Sequence, residues 1–139
     1  MMKRIGRDEA LGLLGLPLTE LISRADNTRR EFSGEALELC GIVNAKSGLC
    51  AEDCKFCAQS ARHKTGVPVY PLKPVEEIVR KAREAKENGA LKFGIVTSGN
   101  RLTDAELDNI ILAVSEIQKT VGITVCASLG ALSEENLRR

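Results

Sequence analysis

The stretch Pro74–Gly99, PVEEIVRKAREAKENGALKFGIVTSG, decides the fold class. Its first half sets Val75, Ile78, Val79, Ala82 and Ala85 at helical spacing on a charged background, which predicts an amphipathic helix over Pro74 to Asn88. Pro74 suits the first turn, where a missing N–H costs nothing, and Gly89 suits the end, where a left-handed residue closes a helix. Leu91 to Thr97 then reads as a short strand, ended by the Ser98-Gly99-Asn100 turn.

The same order repeats towards the C-terminus. Thr103-Asp-Ala-Glu106 is a capping box that opens a helix with Leu107, Ile110, Ile111, Val114 and Ile117 aligned. Ile123 to Leu129 is the next strand, and Ser133 caps a further helix. On the other side, Ala36 to Val43 reads as a strand, and Asn44-Ala-Lys-Ser-Gly48 ends it and opens a loop. Strands alternating with helices of about 15 residues specify βαβ units and a parallel sheet.

Parallel strands are normally apolar on both sides. Here Thr124, Cys126 and Ser128 share one face of their strand, and Lys92, Gly94 and Val96 share a face opposite Phe93 and Ile95. A lysine inside such a sheet needs a polar or liganded interior. A barrel lumen with a site in it accounts for both patterns. The expected fold is α/β: an incomplete (βα) TIM-type barrel, with N-terminal helices plus about three βα units.

The N-terminal helices come from a separate pattern. Asp8 is placed to cap a short helix, and Pro17 to start a second with Leu18, Leu21, Ile22 and Ala25 at helical spacing, before Ser33-Gly34 breaks it. Residues 1–35 thus form a helical extension, and 36–139 the first βα units, with a loop over 44–66. The chain stops at Arg139, about two turns into the Ser133 helix, and reads as the N-terminal portion of a longer protein.

At 139 residues and a formal charge of +1, with both signs mixed along the chain, the composition is that of an ordinary globular domain. Mixed charge argues against nucleic acid as a partner. No apolar run reaches the length of a membrane span, and Met1-Met2-Lys3-Arg4 is not followed by a signal-peptide core, so a cytoplasmic location is expected.

Five cysteines, three of them within eight residues, carry the chemistry. A disulfide framework would need an oxidising compartment, for which there is no signal, so metal ligation is the better reading. Cys50-Ala-Glu-Asp-Cys54-Lys-Phe-Cys57 places three thiols close enough to bind three irons of one cubane. The fourth iron then has no protein thiolate, and an open metal position is where an outside ligand binds and reacts. Zinc is the competing reading, but structural zinc sites usually want four ligands in two close pairs, and His63 is the single nearby candidate for a fourth. Unliganded cysteine is the third.

The C-x3-C-x2-C pattern with an aromatic, Phe56, before its last cysteine resembles the radical S-adenosylmethionine (SAM) enzymes. Asn44-Ala-Lys-Ser-Gly-Leu-Cys-Ala-Glu-Asp-Cys-Lys-Phe-Cys-Ala-Gln-Ser-Ala61, followed by Lys64-Thr-Gly66, is similar to the signature of the biotin synthase family, and Val96-Thr-Ser-Gly99 and Cys126-Ala-Ser-Leu-Gly130 continue it. The resemblance covers essentially the whole chain and ends well before the family does, its members being complete (βα)8 barrels.

What the resemblance implies is reductive cleavage of SAM at the unique iron of a [4Fe-4S] cluster held by Cys50, Cys54 and Cys57. The resulting 5'-deoxyadenosyl radical abstracts hydrogen from dethiobiotin, and sulfur then bridges two carbons. Phe56 would pack beside the adenine, and Val96, Thr97 and Ser98 would contact SAM at a strand end. The family also implies an auxiliary iron-sulfur cluster, [2Fe-2S] or a variant, with Cys126 on one of its ligand positions. The sequence departs from the family pattern at Gly94, where another auxiliary ligand often stands. Cys40, on the same strand face as Glu38 and Asn44, is the candidate replacement, against a plain structural cysteine. Lys92 could pair with a carboxylate of substrate or cofactor.

The implied partners are dethiobiotin, a reductant such as flavodoxin or ferredoxin, and a second copy in a homodimer, with neither nucleic acid nor membrane. Two other readings stand beside this one. The first is a neighbouring radical SAM enzyme, such as a hydrogenase-cofactor maturase or methylornithine synthase; the second is a non-catalytic iron-sulfur or zinc module.

Overall fold

A computed structural model describes residues 4–139. Met1, Met2 and Lys3, where the expected extension over 1–35 begins, lie outside the described residues. The chain divides into two compact units, one ending at Leu37 and the other spanning Glu38–Arg139.

The first unit holds α1 (Arg7–Leu13) and α2 (Leu18–Ser33), with Pro17 and Gly34 flanking the second helix as its sequence suggests. Gly6, not Asp8, precedes α1. Asp8 lies instead in the first turn, where its charge favours the N-terminal end of the helix dipole.

In the second unit the elements are β1 (Cys40–Lys46), α3 (Val75–Glu87), β2 (Lys92–Thr97), α4 (Asp104–Thr120), β3 (Thr124–Ser128) and the short α5 (Glu134–Leu137). The strands form one parallel sheet in the order β1-β2-β3. The α/β class and the parallel pairing expected from the alternation are therefore present.

The first strand differs from its expected span. Residues 36–39 are irregular, and the strand runs on through Asn44, Ala45 and Lys46. The reason is the neighbour: β2 begins opposite Cys40, and it continues far enough to pair Asn44 with Val96 and Lys46 with Thr97, leaving Ala45 at a register irregularity. Small and polar residues accept a strand conformation when a paired backbone is offered.

One face of the sheet is closed. Val43, Ala45, Phe93 and Ile95 pack with Ile78 and Ala82 of α3 and Leu107, Ile110, Ala113 and Ile117 of α4 in a single buried cluster. Burying the larger of these side chains contributes about 1.5–3 kcal/mol each. The approach of α3 is close enough to require Gly41, since a Cβ there would stand 2.5 Å from the Cβ of Ala85. The α4 capping box forms as expected, Thr103 Oγ1 accepting the Glu106 N–H and the Glu106 carboxylate accepting the Thr103 N–H.

The other face is bare. The register sets Cys40, Lys92 and Thr124 in one row, Ile42, Gly94 and Cys126 in the next, and Asn44, Val96 and Ser128 in a third. Ile42 stands there 71% exposed. No helix among the described residues is long and apolar enough to cross a membrane.

Candidate metal centre

The cysteine loop leaves the C-terminal end of β1, the end at which parallel α/β sheets place their ligand sites. Its first residues are tied to the adjacent end of β2. The Ser98 N–H donates to the Lys46 carbonyl at 2.8 Å, and the buried Ser98 hydroxyl donates to the Gly48 carbonyl at 2.8 Å. The Lys46 ammonium meets Glu106 at 2.6 Å, which fastens the same corner to the start of α4. Burial pushes the Glu106 carboxyl up, but hydrogen bonds from Lys46 and Thr103 outweigh it and hold the group below its ordinary range.

Beyond Gly48 the loop doubles back on itself. The Cys50 N–H donates to the Gln59 carbonyl at 3.0 Å and the Ala61 N–H to the Cys50 carbonyl at 2.8 Å, while a turn carries the Cys57 N–H to the Cys54 carbonyl at 2.9 Å. Side chains satisfy other loop carbonyls: Ser60 serves Glu52, Arg62 serves Ala51, and Thr65 serves Ala58. The exit runs antiparallel to the end of β1, where Tyr70 and Ser47 exchange backbone bonds and the Tyr70 hydroxyl donates to Asn44 at 2.9 Å. A loop without a core of its own thus has an ordered path.

Cys50 and Cys57 are half-buried, Cys54 is exposed, and all three are free thiols. Among the described residues no three His, Cys, Asp or Glu side chains already converge on one point. The donor set is thiol alone, spaced along one loop, and it fits a group that gathers three thiolates. His63 Nε2 lies 3.4 Å from Asp53 Oδ1 and is buried without a hydrogen-bond partner.

The family description Radical SAM superfamily matches residues 46–139. The chain belongs to the radical SAM superfamily. It is 47% identical over 135 residues to biotin synthase 2 of Corynebacterium diphtheriae, covering 96% of this chain and 41% of that protein. It is 49% identical over 138 residues to biotin synthase of Pelobacter propionicus and 43% over 135 residues to that of Clostridium perfringens, covering 96% and 97% of this chain and 42% of each relative. The chain thus spans about two fifths of the length of these curated relatives.

The remaining residues singled out in this radical SAM chain fall in three places. Phe56 is 95% exposed on the cysteine loop. Val96 is half-buried on the bare face, whereas Thr97 is buried on the helix side with a hydroxyl that has no hydrogen-bond partner. Cys126 and Cys40 are exposed on the bare face. Lys92 stands in the row of Cys40, beside the row of Cys126, but it is not the buried lysine that its strand suggested. It bonds Glu38 at 2.8 Å, and that hydrogen bond raises the ammonium above its ordinary range, with the Cys40 and Cys126 sulfurs adding smaller attractions. The same bond holds the Glu38 carboxyl low.

Sequence reasoning passed over Gln59, Tyr70 and the Lys46–Glu106 pair. Glu106 was visible as a cap, but its second partner lies 60 positions away, and no local pattern signals that.

Proposed function

We propose that this chain carries the SAM-cleaving part of a biotin-synthase-type enzyme, which inserts sulfur into dethiobiotin to make biotin. The observation that carries the reading is three free thiols on one braced loop at the C-terminal ends of β1 and β2, in a chain whose relatives are biotin synthases. Cys50, Cys54 and Cys57 would hold a [4Fe-4S] cluster. Such a cluster, when bound, supplies the electron for reductive cleavage of SAM at an iron that no protein thiolate occupies.

The protein's own contribution is placement. Ser98 spends its hydroxyl on Gly48 and so fixes the loop's first turn against β2; its backbone, with Val96 and Thr97, is left to meet the cofactor. Phe56 offers an exposed aromatic face for an adenine.

In this proposal the sheet opens a TIM-type barrel, with residues 1–35 as a helical extension and the bare face as its lumen. Helices on one face and polar or thiol side chains on the other support it. Cys126 would then serve an auxiliary iron-sulfur cluster, with Cys40 in place of the ligand missing at Gly94. Loss of auxiliary iron in a full-length Cys40→Ala variant supports that ligand, and unchanged iron refutes it. Flavodoxin or ferredoxin as reductant, a homodimer and a cytoplasmic setting complete the proposal.

The test is anaerobic reconstitution with iron and sulfide, reduction, and electron paramagnetic resonance with and without SAM. A [4Fe-4S]+ signal that changes on adding SAM supports the reading. A signal indifferent to SAM points to an electron-transfer module, and zinc retained without a cluster to a structural site.

A further inference from the structure

We propose that Gln59 is a positioning residue, a clasp that sets how Cys50 and Cys57 are presented. This rests on the cluster reading above. The Gln59 side-chain oxygen accepts two hydrogen bonds at once, from the Gly48 N–H at 2.5 Å and the Ser47 hydroxyl at 3.0 Å. Its main-chain carbonyl accepts the Cys50 N–H at 3.0 Å. One residue beyond the third cysteine's neighbour therefore grips both sides of the turn that leads into the first.

That turn needs a grip. Gly48 has φ 78°, and Leu49 has φ 54°, in the left-handed region that a branched apolar side chain avoids. The Leu49 side chain is not what holds it, being 74% exposed. The constraint comes from backbone bonds on either side: Gln59 on the Gly48 N–H, Ser98 on the Gly48 carbonyl and Gln59 again on the Cys50 N–H. Without the side-chain clasp Gly48 and Leu49 can relax, and the half-buried Cys50 moves relative to Cys57.

The oxygen of Gln59 acts here only as an acceptor, so Glu can replace it and Leu, of similar size, cannot. The experiment compares wild type, Gln59→Leu and Gln59→Glu in the purified protein. Hydrogen exchange at the Gly48 amide is read without iron; iron release to a chelator and the [4Fe-4S]+ resonance with SAM are read after reconstitution. Gln59→Leu is expected to speed Gly48 exchange and iron release roughly tenfold and to alter the resonance, with exchange at Ile95 in the core unchanged. Gln59→Glu is expected to match wild type. A Leu variant equal to wild type, or a Glu variant as impaired as Leu, overturns the clasp. If wild type takes up no cluster, the cluster reading falls, and Gly48 exchange alone then decides whether the clasp exists.

Discussion

Phe93 and Lys92 are neighbours on β2, yet Phe93 is 1% exposed beneath α3 and α4 while Lys92 stands on the uncovered face with Glu38 as its partner. The same contrast runs along β1 and β2, while in β3 Val125 is half-buried and Ala127 exposed. One face is filled by aliphatic side chains in contact with two helices; the other carries thiols, hydroxyls, an amide and an ion pair in register. Strand geometry points alternate side chains to opposite faces, so one sequence can encode a packed face at one parity and a polar, thiol-bearing face at the other.

If that division holds, the largest effect comes from the closed face. Phe93→Ala is expected to cost about 3–5 kcal/mol in denaturant unfolding, because the cavity it leaves lies among packed aliphatics. Ile42→Ala, an apolar truncation of the bare face, is expected to cost about 0.5 kcal/mol or less. Similar costs for both would break the comparison.

Two glycines sharpen it further. A Cβ at Gly41 collides with Ala85 on the helix side, whereas one at Gly94 meets nothing nearer than Ile42 Cγ1 at 3.5 Å. Gly41→Ala should therefore destabilise by about 1–3 kcal/mol through overpacking. Gly94→Cys should leave unfolding within about 0.5 kcal/mol of wild type. Steric room at Gly94 means that packing on this face does not account for the absence of a cysteine.

A further effect, below that at Phe93, lies at the loop's stem. Glu106→Gln keeps a side chain able to cap α4 and loses the charge that Lys46 requires. Its cost should be about 1 kcal/mol near neutral pH. Since the folded carboxyl sits below its ordinary value of 4.5, the stabilisation is present above that value and fades as pH falls through the folded pKa. Wild-type and variant unfolding curves should therefore converge in acid, and a gap that persists there would show that the charge is not the cause.

Much of this was legible in the sequence because it is local or periodic. The helix faces of α3 and α4, the capping box at Thr103, and the shared parity of Lys92, Gly94 and Val96 need only spacing to be seen. The three thiols of the loop were visible for the same reason. What escaped was set by partners distant along the chain. The span of β1 depended on where β2 begins and ends, and the pairing of Lys92 with Glu38 depended on which carboxylate the register brought near. The role of Gln59 likewise depends on Gly48, 11 positions earlier, whose N–H its side-chain oxygen accepts where the loop doubles back.

The sequence by itself determined the alternation of strands and helices, the face each strand residue takes and the cluster of thiols, since backbone geometry converts spacing into direction without reference to the rest of the molecule. Only the tertiary structure decided the register of the sheet, the anchoring of the cysteine loop through Ser98, Lys46 and Gln59, and which face the helices cover. Those depend on hydrogen bonds and packing between residues far apart in the chain, whose partners exist only once the strands lie side by side.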